Sequence, residues 1–140
     1  ERGAHLVEAG SDIFLMPSRF EPCGLNQMYS LRYGTPPIVR GTGGLADTVV
    51  DCSEATLANG TANGFVFAEA TPEALLQAIR RAVSAWHDKA LWHKLQRNGM
   101  ALDFGWSKAA AAYRSVYAGL SVSRKKTKRI DIEGKPARAG

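Results

Sequence analysis

The chain has 140 residues, 45% hydrophobic and 22% charged, which suits a globular protein with a core of its own. No apolar run approaches the length of a membrane-spanning helix and no signal peptide is visible, so nothing in the sequence points to a membrane. The net charge of +5 sits in the tail: residues 121–140 hold seven basic and two acidic side chains, and the other 120 residues carry 11 of each.

Taken in chain order, Arg2 to Ala9 reads as the end of a helix, closed by Gly10 and Ser11. Asp12 to Met16 is the first strand. Its apolar run is continuous rather than alternating, which predicts a strand covered on both faces. Pro17 ends it, and a loop leads to a helix from Leu25 to about Tyr33, stopped by Gly34. Thr35 to Val39 is a second strand, and Pro36 and Pro37 must lie at its start because proline cannot donate to a ladder. Residues Arg40 to Thr48 form a glycine-bearing turn that enters a short helical or extended piece. Asp51 to Asn63 reads as polar and irregular. Gly64 to Phe67 is a third strand.

Thr71-Pro72-Glu73 marks a helix start, with a capping threonine and proline in the first turn. That helix runs to about Trp86 with Leu75, Leu76, Ile79 and Val83 as its apolar stripe. A further helix over Asp88 to Met100 carries Leu91, Trp92 and Leu95, and a last one runs from Ser107 to about Leu120. The tail beyond has few apolar residues and many charges, and reads as disordered. Strands alternating with helices imply a parallel sheet. The expected fold is therefore α/β, a partial Rossmann-like sheet with a helical C-terminal end. With three strands, and with Glu1 in place of an initiator Met, the chain reads as a fragment or processed product.

The candidate site lies where the first strand meets the next helix, in Ser18-Arg19-Phe20-Glu21-Pro22-Cys23-Gly24-Leu25-Asn26-Gln27. In open α/β sheets, ligands bind beyond the carboxyl ends of the strands. The free N–H groups of a helix start attract anions such as phosphate. A Glu21 carboxylate suited to sugar hydroxyls, beside the amides of Cys23, Gly24 and Leu25, suggests chemistry on a phosphorylated substrate. Taken alone, Glu21 is equally a surface acid on a helix dipole. Ser18 and Arg19 read as phosphate or sugar contacts, or Arg19 as an ion-pair partner. Thr42-Gly43-Gly44, following the second strand, reads either as a tight loop or as the other wall of the pocket. Asp47 reads as a cap for the segment after it. His5, His87 and His93 read as surface or packing residues.

Cys23 and Cys52 lack the spacing and the paired histidines of a zinc site. They read as reduced thiols of a cytoplasmic protein, with Cys23 valued for its backbone N–H. The basic run Arg124 to Arg129 has no interleaved aromatic residues and reads as a solvated tail rather than a nucleic-acid site.

The segments SRFEPCGLNQMYSLRYGTPPIVRGTGGLADTVVD, GFVFAEATPEALLQAIRRAV and DFGWSKAAAAYRSVY closely resemble the C-terminal domain of bacterial glycogen synthases and plant starch synthases. These are retaining glucosyltransferases of the two-lobed GT-B type. The resemblance covers about residues 1–119. It implies that residues 1–120 are part of the nucleotide-sugar-binding lobe, with 121–140 a basic disordered tail. The activity it implies is transfer of glucose from ADP-glucose to the non-reducing end of an α-1,4-glucan, without metal or cofactor. Glu21 then matches the active-site glutamate, and Cys23, Gly24 and Leu25 match the backbone donors to sugar and diphosphate. Asn26 stands where many members have Thr, Gly43 and Gly44 match the second glycine turn, and Tyr29 takes the place of the second glutamate of related transferases. The family's upstream phosphate-binding Arg and Lys and its acceptor lobe are absent from this chain. It would then need that lobe in cis or in trans. The rival reading is an inactive remnant or a weak nucleotide-sugar-binding module.

Overall fold

The computed structural model describes residues 2–124, less the side chains of Lys108 and of 121–124. Two compact units are distinguished, Glu1–Leu102 and Asp103–Gly140.

In the first unit, α1 (Arg2–Ala9) precedes β1 (Phe14–Met16), α2 (Asn26–Tyr33) and β2 (Pro37–Arg40). Then come α3 (Gly43–Thr48), α4 (Glu54–Ala58), β3 (Phe65–Phe67), α5 (Pro72–His87) and α6 (Lys89–Met100). The sheet has order β1-β2-β3 and both pairings are parallel, with Leu15 opposite Ile38 and Val39 opposite Val66. This is the three-stranded parallel α/β arrangement that the alternation implied.

Side chains alternate across a strand, so β2 and β3 feed two faces. Ile38, Phe65 and Phe67 pack with Ala78, Ala82, Ala85, Trp92 and Leu95 from α5 and α6. Val39 and Val66 face the other way and pack with Leu31, Leu45 and Val49. The central strand is therefore covered on both faces. β1 departs from expectation. It starts at Phe14, and Leu15 is 46% exposed. Its apolar run matches a buried strand, but β1 is an edge strand, with β2 on one side only.

β3 is the other edge, and there Asp51 stands in for a neighbouring strand. Its carboxylate accepts the Val66 N–H at 2.7 Å and pairs with Arg81 at 2.7 Å. Satisfying an edge donor in this way blunts a template for unwanted pairing.

Local chemistry sets the helix ends. Gly34 closes α2 at φ 76°, where a side chain is strained. The Thr71 hydroxyl accepts the Ala74 N–H at the start of α5, with Pro72 in the first turn, as expected. Asp88 caps α6 by accepting the Leu91 N–H. Three expectations are corrected. The segment from Asp51 to Asn63 is not wholly irregular, because Ser53 and Thr56 form a reciprocal capping box that starts α4. That cap is Ser53's, whereas Asp47 lies exposed within α3. On α5 the buried face runs through Ala78, Ala82 and Ala85, while Leu76 and Val83 are 46% and 44% exposed. Leu75 and Ile79 of the expected stripe pack against the same core, half-buried, and the small residues beside them let the helix lie close to Phe65 and Phe67.

The second unit contains α7 (Trp106–Arg124), which starts one residue earlier than expected and runs four residues further. The Asp103 carboxylate accepts the Gly105 N–H just before it. The tail from residue 125 lies outside the described residues.

Candidate active site

β1 and β2 are adjacent and parallel, so the loop after β1 and the turn after β2 meet at one end of the sheet. That end carries the sequence-identified residues, and the two segments are interlocked through their backbones. The Gly44 N–H donates to the Glu21 carbonyl at 3.1 Å and to the Pro22 carbonyl at 3.2 Å. A Cβ added at Gly43 would lie 2.1 Å from the Glu21 oxygen, and one at Gly44 would lie 2.1 Å from the Cys23 oxygen. Both positions admit glycine alone, because the second turn seats the first. The Gly44 N–H is spent on this contact. Thr42 is half-buried in the same turn, and its carbonyl accepts the Leu45 N–H.

The loop is also held from the end of β2. The Arg40 guanidinium donates through Nε to the Ser18 carbonyl at 3.1 Å and through Nη2 to the Arg19 carbonyl. Ser18 and Arg19 thus engage the fold through their carbonyls, while the Arg19 side chain is exposed. Arg40 was not singled out in the sequence, where a lone arginine after a strand carries no distinguishing signal.

The start of α2 is left open. Gly24 turns the chain at φ 69°, Leu25 occupies the cap position, and no side chain caps the helix. By contrast, α4, α5 and α6 are capped by Ser53, Thr71 and Asp88. An uncapped start leaves N–H donors and the positive end of the helix dipole available to an anion. Cys23, Leu25 and Asn26 are exposed around it, Gly24 is buried, and Glu21 is half-buried. Among the described residues the Glu21 carboxylate has no hydrogen-bond or ion-pair partner. The site therefore joins an unengaged carboxylate to an open helix start on a braced loop. Such a pairing can bind a neutral polyol and an anion side by side.

Tyr29 is 41% exposed and meets the His5 ring edge-on at 5.2 Å, so His5 packs, as expected. His87 similarly meets Trp86 at 5.2 Å. Cys23 and Cys52 are both free thiols. Burial pushes the Cys52 thiol above its ordinary value of 9.0, against the pull of Arg81. Among the described residues no three His, Cys, Asp or Glu side chains converge as a metal site.

Comparison with known proteins places the chain in a family. Residues 4–100 match the glycosyl transferases group 1 family, and the chain belongs to that family. More particularly, it is 65% identical over 120 residues to a glycogen synthase of Nitrosospira multiformis, covering 86% of this chain and 24% of that protein. A glycogen synthase of Dechloromonas aromatica is 60% identical over 121 residues, covering 86% of this chain and 25% of that protein. Among solved structures, the catalytic domain of starch synthase IV from Arabidopsis thaliana, bound to ADP and acarbose, matches with TM-score 0.78 and 40% identity. That match covers 84% of this chain and 24% of the plant chain. Sucrose-phosphate synthase of Thermosynechococcus elongatus matches with TM-score 0.61 and 27% identity, over 84% of this chain and 27% of its own. The chain thus spans about a quarter of the length of the curated relatives it matches. The expected resemblance to glycogen and starch synthases and the expected GT-B kind of α/β fold are both borne out.

Proposed function

We propose that residues 1–120 act as part of the donor-binding lobe of a retaining glucosyltransferase that moves glucose from ADP-glucose to the non-reducing end of an α-1,4-glucan. The observation that carries this reading is the unengaged Glu21 carboxylate beside the uncapped start of α2. Likeness to glycogen synthases and to a starch synthase bound to ADP and acarbose supports the choice of substrates.

In this reading the diphosphate lies against the N–H groups of Leu25 and Asn26, and Cys23 and Gly24 present theirs to the sugar. Thr42, Gly43 and Gly44 wall the pocket, with Ser18 and Arg19 at its rim. Cleavage of the sugar–phosphate bond builds negative charge on the leaving diphosphate and positive charge on the glucose ring. Fixed backbone dipoles stabilise the first, and Glu21 stabilises the second without having to be reorganised. The remaining donor contacts come from the rest of this lobe and the glucan acceptor is held by a second lobe, in cis or in trans, since the relatives are about four times as long. The setting is cytoplasmic, where both thiols stay reduced. No helix among the described residues is long and apolar enough to cross a membrane.

The test is transfer of labelled glucose from ADP-glucose to glycogen by the complete gene product. Glu21→Ala should lower kcat by roughly 10²–10³-fold, the usual weight of one transition-state contact of this kind. Near-normal turnover in that variant removes Glu21 from the reaction. No transfer by the parent protein favours the inactive remnant.

A further inference from the structure

Gln27 is a fully buried polar residue on α2, at 0% exposure, and the roles above do not use it. Its side-chain amide donates to the Cys23 carbonyl at 3.0 Å, to the Gly24 carbonyl at 3.0 Å and to the Thr48 hydroxyl at 3.3 Å. Three acceptors around one nitrogen fix which end of the amide is which. The arrangement leaves Oε1 buried without a partner. An orphaned buried acceptor is destabilising, so Gln27 is not an optimised core contact.

What the arrangement does is join two turns. The Thr48 hydroxyl donates in turn to the Gly44 carbonyl at 2.6 Å, and the Thr48 carbonyl accepts from the Asn63 amide at 3.2 Å. A relay therefore runs from the Cys23-Gly24 peptide through Gln27 and Thr48 to Gly44. Gly44 closes the circuit by donating to the Glu21 and Pro22 carbonyls. The Cys23 and Gly24 carbonyls are drawn inward onto Gln27. Both peptides are trans, so the Gly24 and Leu25 N–H groups point the opposite way, away from Gln27. Gly24 is locked to the same partner, since a Cβ there would lie 2.3 Å from Gln27 Oε1.

We propose that Gln27 and Thr48 are positioning residues that set the orientation of the Cys23–Leu25 peptides and hold it in register with the Gly43-Gly44 turn. This rests on the reading that those peptides face the donor. Neither side chain touches substrate.

The test uses Gln27→Met, Thr48→Val, Thr48→Ser and the Gln27→Met/Thr48→Val pair in the complete gene product. The first readout is hydrogen exchange at the Gly44 amide, which the Glu21 and Pro22 carbonyls protect, with the Val66 amide as internal reference. Exchange at Gly44 should quicken about tenfold in Gln27→Met and Thr48→Val, the scale of one net hydrogen bond, and hold steady at Val66. Thr48→Ser keeps the hydroxyl and should restore the parent rate. The double variant should be no worse than the poorer single one, because both break one relay. The second readout is turnover per folded molecule. It should fall by roughly 10²-fold in Gln27→Met, the effect of a misplacement on the order of 1 Å.

Unchanged exchange at Gly44 in both single variants, or Thr48→Ser as impaired as Thr48→Val, overturns the proposal. Because Thr48→Val exchanges a hydroxyl for a methyl group of similar size, it decides the matter even if Gln27→Met does not fold. A parent protein that transfers no glucose defeats the functional reading alone, since the exchange measurement still decides whether the relay positions the loop.

Discussion

At the scale of single residues, the candidate site is governed by how closely two backbones approach. Gly43 and Gly44 lie against the Glu21 and Cys23 carbonyls, and neither position has room for a methyl group. Overpacking against backbone cannot be relieved by a rotamer change, so Gly44→Ala should destabilise by about 1–3 kcal/mol. Gly3, in α1, has nothing within 4 Å of an added Cβ. Gly3→Ala should therefore be neutral or stabilise by up to about 1 kcal/mol through helix propensity. Urea melts of the two variants check both signs. A loss in Gly3→Ala as large as that in Gly44→Ala would mean that close approach is not what Gly44 supplies. The glycines were legible in the sequence as a turn beside the first motif. Their function as a seat was not, because it depends on which carbonyls the parallel pairing of β1 and β2 brings underneath.

At the scale of elements, β3 is protected by a side chain. Asp51 satisfies the Val66 N–H and holds Arg81, whose side chain is 42% exposed. The ion pair itself is solvent-screened and weak, while the lost acceptor leaves a strand donor unpaired. Asp51→Ala should thus cost about 1–3 kcal/mol, and Arg81→Met less than about 1 kcal/mol. Denaturant melts showing the reverse order would assign the stability to the ion pair instead.

The same scale shows what the sequence could and could not tell. Thr71-Pro72 announced its helix because a hydroxyl cap and a first-turn proline are local signals. Ser53 also caps, but its partner is Thr56 rather than the usual Glu or Gln, and α4 has five residues with no apolar period. The stripe on α5 is legible only in part: Leu75 and Ile79 pack on the core, but the fully buried positions are alanines, which carry little hydrophobic weight although close packing of a helix on a sheet selects them. β1 reads as a doubly covered strand, and its exposure in this chain reflects its edge position. Gln27 and Thr48 are joined to each other across 21 residues and Arg40 to Ser18 across 22, links that no local pattern encodes.

At the scale of the whole molecule, the charge and the site separate. The first 120 residues are electrically balanced, so the anion binding proposed there rests on backbone dipoles rather than on a basic field. The most direct test of the central claim is an amide NMR titration of the complete gene product with ADP-glucose. Shifts should be largest at the N–H groups of Cys23, Gly24, Leu25 and Asn26 and small along α5 and α6. Shifts elsewhere with none at those four amides, or no binding at all, would contradict the donor site placed at the start of α2.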